Sequence, residues 1–154
     1  MKNQIQDAFR FAQEHHEGQV DKAGQPYFGH IRRVFEAVGG FDADPPEVAV
    51  VALLHDIVED TAVGLNEIEE RYGQLIREAV AALTKDDRPY EVYLEQVKRH
   101  PWARRVKIAD LTDNSHLGRI PQPSDKDRAR VKKYQRGLEY LSASDDSAGN
   151  NSTK

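Results

Sequence analysis

The stretch PEVAVVALLHDIVED, starting at Pro46, constrains this chain more than any other. Proline is tolerated in the first turn of a helix, so Pro45-Pro46 opens one. Over residues 48–54 that helix is apolar all round, which suits a central, buried position rather than a surface one. The run is far shorter than the ~20 residues a membrane span needs. At His55 the pattern breaks: His55, Asp56, Glu59 and Asp60 follow at once. His55 and Glu59 lie at i, i+4, as do Asp56 and Asp60, so two polar pairs share the inner end of an apolar rod. Buried charge is costly unless it is paired or coordinates a metal. Two readings are open at this point: a solvent-exposed helix end with a stray histidine, or part of a metal site.

Glycine and proline punctuate the remaining chain at helical intervals. Ile5, Ala8, Phe9 and Ala12 predict a helix over 5–16. Residues 18–29, with three glycines and Pro26, read as an ordered loop. A second helix begins near His30, carries Ile31, Val34, Phe35 and Val38 on one face, and stops at Gly39-Gly40. Further helices are expected over 65–72, 74–83, 90–99, 102–117 and 125–141, broken at Gly73, Pro89, Pro101 and the Pro121–Ser124 region. Strand-like alternation is nowhere sustained. The expected fold is an all-α bundle of about seven to eight helices. One domain is expected over 1–141, followed over 142–154 by a disordered tail with no hydrophobe beyond alanine.

Composition narrows the function classes. With no cysteine, thiol nucleophiles, zinc–thiolate sites and disulfide scaffolds are excluded. Lys+Arg 22 against Asp+Glu 26 gives a net charge of −4, unlike a binder of nucleic-acid polymers. The N-terminus lacks a basic-then-apolar signal, so a soluble cytoplasmic protein without membrane attachment is expected.

A second polar intrusion supports the metal reading. Val106, Ile108, Ala109 and Leu111 form an apolar stretch interrupted by Asp110 and followed by Asp113 and Asn114. With His30, the His55-Asp56 pair and Asp110, the chain offers a His2Asp2 ligand set. Mixed imidazole and carboxylate suits a six-coordinate ion such as Mn(II) or Fe(II). Zinc is less natural with two carboxylates.

The segments GQVDKAGQPYFGH, VALLHDIVEDT, EIEERYG, LTK and VKIADLTDN resemble the hydrolase domain of the RelA/SpoT stringent-response enzymes and the stand-alone small alarmone hydrolases. Both belong to the HD-domain metal-dependent phosphohydrolases, and the resemblance covers about residues 5–140. It implies that His30, His55, Asp56 and Asp110 bind one Mn(II), or another divalent transition metal. It also implies that Glu59 and Asp60 are the paired catalytic acids. Lys22 would meet a phosphate or the base, and Asn114 the ribose and phosphate. Arg130 and Tyr134, at i, i+4, would address the distal phosphates. Two positions depart from the family pattern: Asp21 stands where it has a basic residue, and His116 where it often has arginine.

Other polar and aromatic residues read as structural. His16 matches a common family histidine outside the metal motif, Tyr27 and Trp102 read as packing residues, and His100 as a turn residue. Thr61 reads as a cap, and Thr84-Lys85 as either pocket rim or surface cap.

The resemblance implies a 3′-pyrophosphohydrolase acting on a small phosphorylated nucleotide, taking guanosine 3′,5′-polyphosphates to GDP or GTP plus pyrophosphate. The Asp21 and His116 departures leave open adenosine alarmones, the 2′-phosphate of NADPH and nucleoside 5′-monophosphates. A non-catalytic nucleotide-binding module is the rival from another class. Few residues follow the match, so no alarmone synthesis by this chain is expected. Oligomeric state is not legible.

Overall fold

Pro45 is extended (φ −72°, ψ 156°), and the chain turns helical at Pro46, where the missing N–H costs nothing. In the computed structural model, which describes residues 2–144, this helix is the third of nine among the described residues. They are α1 (Lys2–His15), α2 (Phe28–Ala37), α3 (Pro46–Leu54), α4 (Ile57–Asp60), α5 (Leu65–Tyr72), α6 (Gln74–Leu83), α7 (Tyr90–Arg99), α8 (Pro101–Asn114) and α9 (Asp125–Ser142). Eight run for eight residues or more, and α4 is a single turn. The fold is all-α. Among the described residues the β geometry is confined to one isolated bridge, Val20 with Pro26, inside the 18–29 loop. The expected tail lies outside the described residues except for 142–144.

The helix α3 is buried along its whole apolar run: Val48 through Leu54 are all 0% exposed. It packs against α1, α2, α6 and α8, while α8 also meets α7 and α9. Two central helices, α3 and α8, thus organise the bundle, and α2 packs against both. Leu53→Ala is expected to cost about 2–5 kcal/mol, the transfer term plus a cavity that a fully enclosed helix cannot collapse. A urea unfolding curve with a shifted midpoint and unchanged slope checks this.

Two expected boundaries move. The 46–60 segment is not one helix: the His55 ring donates to the Ala52 carbonyl at 2.6 Å, and Asp56 leaves helical dihedrals at φ −107°, ψ 0°. Active-site residues often occupy that sparsely allowed bridge region. The i, i+4 relation nonetheless survives at Asp56 and Asp60, whose backbone bond is 3.0 Å. The 102–117 helix instead spans Pro101–Asn114. His100 Nδ1 accepts from Ala103 N at its start, and the Ser115 hydroxyl takes the Leu111 carbonyl at its end. Gly39 ends the second helix at φ +118°, and a Cβ there would meet Ala43 Cα at 2.8 Å, so only glycine fits. At the start of α9 a capping box holds the chain: Asp127 N donates to Ser124 Oγ and Ser124 N to Asp127 Oδ2. No helix among the described residues is long and apolar enough to cross a membrane.

Candidate metal centre

The three mutually packed helices bring the polar intrusions to one point. His30 is the third residue of α2, His55 and Asp56 form the junction after α3, and Asp110 lies one turn from the end of α8. Each offers one donor atom, and the four atoms lie within 4.8 Å of one another. His30 Nε2 is 2.9 Å from Asp110 Oδ1 and 3.7 Å from Asp56 Oδ2. His55 Nε2 is 3.1 Å from Asp56 Oδ2 and 3.4 Å from Asp110 Oδ1. Neighbouring ligands of an ion held at ~2.1 Å are themselves about 3 Å apart, so the spacing is that of one coordination sphere.

Hydrogen bonds on the far side of each ring set its orientation. His55 Nδ1 faces the Ala52 carbonyl, which can only accept, so Nδ1 carries the proton. His30 Nδ1 donates in the same way to Asp113 Oδ2 at 2.7 Å. In the neutral rings both Nε2 lone pairs therefore face the cluster. His55 Nε2 is buried and makes no hydrogen bond. An orphaned imidazole nitrogen facing three other donors fits a divalent cation.

The electrostatics agree. Burial disfavours charge on both rings, yet both are held above the usual histidine range. For His30 the hydrogen bonds with Asp110 and Asp113 outweigh burial, and for His55 the negative charges of Asp56 and Asp110 do. Burial likewise opposes ionisation of the two carboxylates, but both are held down. His55 does this for Asp56; the Lys107 ammonium and then both imidazoles do it for Asp110. The site is built to hold positive charge, delivered as protons or as a metal ion.

A cleft of about 440 Å³ opens beside His30. Lys22, Asn114, Arg130 and Tyr134, the expected substrate contacts, all line it. Asn114 Nδ2 donates to Asp110 Oδ1 at 3.1 Å, and the Arg130 guanidinium is paired with Asp127 of the α9 capping box. Asp21 also lines the cleft, but its Oδ1 accepts from Ala23 N and Gln25 N, each at 2.9 Å, which turns its charge into the loop.

Glu59 and Asp60 sit at the end of α4, exposed, and do not line that cleft. Glu59 Oε1 accepts from Lys85 N at 2.5 Å, and the Asp60 carbonyl from Gln19 Nε2 at 2.9 Å. Partial burial pushes both carboxyl pKa values up, and the Asp56 charge adds to it.

Several residues gain contacts that the linear pattern did not show. Tyr27 packs on the core as expected, but its hydroxyl also donates to Asp56 Oδ2 at 2.5 Å. Lys107 Nζ holds Asp110 Oδ2 at 2.9 Å with a side chain only 16% exposed. Its i, i+3 relation to Asp110 was the one available signal. Asp113 braces His30 across the bundle and receives Arg33 and Arg119. His16 is buried, hydrogen-bonded to Gln19 at 2.9 Å, and outside the four-residue cluster. Thr61 Oγ1 caps the Ile57 carbonyl, Thr84 Oγ1 caps the Val80 carbonyl, and Trp102 packs on the core.

Partners of a ligating histidine tune metal affinity by about 10–100-fold. Asp113→Ala should therefore weaken binding of a divalent cation at this cluster by about that factor, read by titration calorimetry with Mn(II) as the probe.

The HD-domain family profile matches residues 8–111. A guanosine-3′,5′-bis(diphosphate) 3′-pyrophosphohydrolase from Aquifex aeolicus is 39% identical over 120 residues, covering 72% of this chain. The bifunctional (p)ppGpp synthase/hydrolase SpoT of Escherichia coli K12 is 32% identical over 121 residues, covering 73%. In both cases the match spans 17% of the relative's own length. A solved structure described as a metazoan ortholog of SpoT that hydrolyzes ppGpp superposes with a TM-score of 0.75 at 22% identity. It covers 91% of this chain and 86% of that one, which shows a shared fold. On its profile match and these relatives, the chain belongs to the HD-domain family and is related to the RelA/SpoT hydrolase domains.

Proposed function

We propose that this chain is a Mn(II)-dependent hydrolase that removes pyrophosphate from the 3′ position of a guanosine 3′,5′-polyphosphate. Water and guanosine 3′,5′-bis(diphosphate) would give GDP and pyrophosphate. The observation that carries this reading is the junction of two features. A four-donor His/Asp cluster opens, at His30, on a cleft walled by Lys22, Asn114, Arg130 and Tyr134. The names of the relatives add the nucleotide class.

His30, His55, Asp56 and Asp110 would hold the ion. A bound divalent cation there offsets phosphate charge and makes water more acidic. Glu59 and Asp60 would position the attacking water and take its proton. Their raised pKa values bring them closer to the working pH than ordinary carboxylates, as a general base requires. Lys22 and Arg130 would neutralise phosphate oxygens, Tyr134 would donate its hydroxyl to the distal group, and Asn114 would address the ribose.

The test is a substrate panel with Mn(II)-loaded protein: guanosine 3′,5′-bis(diphosphate), its adenosine counterpart, NADPH and nucleoside 5′-monophosphates. Pyrophosphate release from the guanosine compound at the highest kcat/KM is expected. Faster release of inorganic phosphate from NADPH or a monophosphate would replace this reading with a phosphatase.

A further inference from the structure

The α4 turn that carries Glu59 and Asp60 is four residues long, too short to hold a helical shape alone, so contacts from outside fix it. One of them comes from Gln19, 41 residues earlier, whose Nε2 donates to the Asp60 carbonyl at 2.9 Å. A helix leaves its last carbonyls without partners, and this amide supplies one. It grips the main chain of Asp60 and leaves the carboxylate free.

Gln19 is itself held at three points. Its Oε1 accepts from His16 Nδ1 at 2.9 Å, its N–H donates to the His16 carbonyl at 3.1 Å, and its carbonyl accepts from Tyr27 N at 2.8 Å. The Asp60 carbonyl can only accept, so the amide nitrogen faces Asp60 and the amide oxygen faces His16. The proton of the His16 ring is therefore on Nδ1. The opposite nitrogen, Nε2, is buried and meets no hydrogen-bond partner among the described residues. The ring's one hydrogen bond thus goes to Gln19. That bond decides which end of the amide meets Asp60, since the two ends are alike in shape. The same ring lies 5.5 Å from the ring of Tyr27. The Tyr27 hydroxyl donates to Asp56 Oδ2, and Asp60 N donates to the Asp56 carbonyl. The contacts close a circuit from Asp60 through Gln19, Tyr27 and Asp56 back to Asp60.

We propose that Gln19, its amide set by His16, is a positioning residue that registers Asp60 against the cluster carboxylate Asp56. The inference rests on the hydrolase reading, in which Asp60 is one of the two catalytic acids. A carboxylate that takes a proton from water must stand within hydrogen-bond reach of it, and a displacement of about 1 Å can cost about 100-fold in rate. Neither Gln19 nor His16 lines the cleft beside His30, so their effect falls on turnover and not on nucleotide binding.

The experiment uses Gln19→Leu and Gln19→Glu in the full chain loaded with Mn(II), with guanosine 3′,5′-bis(diphosphate) as substrate. Gln19 is half-buried, so both variants should fold. Gln19→Glu keeps an acceptor for His16 and loses the donor to Asp60, whereas Gln19→Leu loses both. Each is expected to lower kcat about 10- to 100-fold, with KM and Mn(II) affinity changed less than about 3-fold. In an Asp60→Asn background Gln19→Leu should cost less than about 3-fold more, because a residue that acts through Asp60 has nothing left to act on. His16→Asn, whose amide nitrogen falls near the place of Nδ1, should keep most of kcat, and His16→Leu should match Gln19→Leu. A readout without turnover is hydrogen exchange of the metal-free protein by NMR. The Asp60 and Thr61 amides, bonded to the Asp56 and Ile57 carbonyls, should exchange at least about 10-fold faster in Gln19→Leu. Unchanged exchange, a loss expressed in KM, or equal kcat losses with and without the Asp60 carboxylate would overturn the proposal. If exchange quickens as expected while the wild type hydrolyses no nucleotide of the panel, the clamp on Asp60 stands and the hydrolase reading falls.

Discussion

Asp56→Ala is expected to remove tight Mn(II) binding and to lower turnover by at least about 1,000-fold. A divalent ion supplies several kcal/mol of transition-state charge stabilisation, and each 1.36 kcal/mol is tenfold in rate. Asp56 is central to the cluster: its Oδ2 lies 3.1 Å from His55 Nε2, 3.7 Å from His30 Nε2 and 2.5 Å from the Tyr27 hydroxyl. Its side chain is 14% exposed, so truncation opens no closed cavity, and the variant should stay folded. Metal analysis, far-UV circular dichroism and turnover on one preparation check this. A variant that keeps stoichiometric Mn(II) and near-normal kcat would remove Asp56 from the ligand set.

The second large effect falls on stability. Lys107→Met keeps the length of the side chain and deletes the ammonium that holds Asp110 Oδ2 at 2.9 Å. Burial works against charge on both partners, yet each keeps the other ionised: Lys107 is pushed up and Asp110 down. Removing one member of a buried pair costs about 3–5 kcal/mol, chiefly because the remaining charge is uncompensated. The metal-free variant should show that loss in urea unfolding. Saturating Mn(II) should recover more stability for the variant than for the wild type, because the cation compensates Asp110 directly. A loss below about 1 kcal/mol would mean that the imidazoles alone balance Asp110.

Much of this architecture was legible in the linear pattern. The helices over 65–72, 74–83 and 90–99 follow their glycine and proline boundaries, because local backbone chemistry decides those ends. His30, His55, Asp56 and Asp110 stood out because each interrupts or opens an apolar helical face, and the bundle gathers all four. The break at His55-Asp56 was not legible, since hydrophobic periodicity carries no record of a side chain competing for a backbone carbonyl. Lys107 reads in sequence as an ordinary basic residue. Its role arises from Asp110 beneath it and the Tyr93 ring 5.3 Å away. Arg33 and Asp113 meet across 80 residues of chain, a contact no local pattern can announce.

The net charge of −4 therefore describes the surface poorly where it matters. Asp56 and Asp110 are committed to the cluster, Asp21 to its loop and Asp127 to a helix cap. Lys22, Arg33, Arg119 and Arg130 meanwhile line one cleft. A long polyanion gains little from that arrangement, whereas a compact anion can meet several of these cations at once.

The central claim is tested most directly by resolving the products of guanosine 3′,5′-bis(diphosphate) incubated with protein carrying one equivalent of Mn(II). Equimolar GDP and pyrophosphate, absent with Asp56→Ala, is the predicted result. Intact substrate, or stepwise release of single phosphates, from protein shown to hold its metal would contradict it.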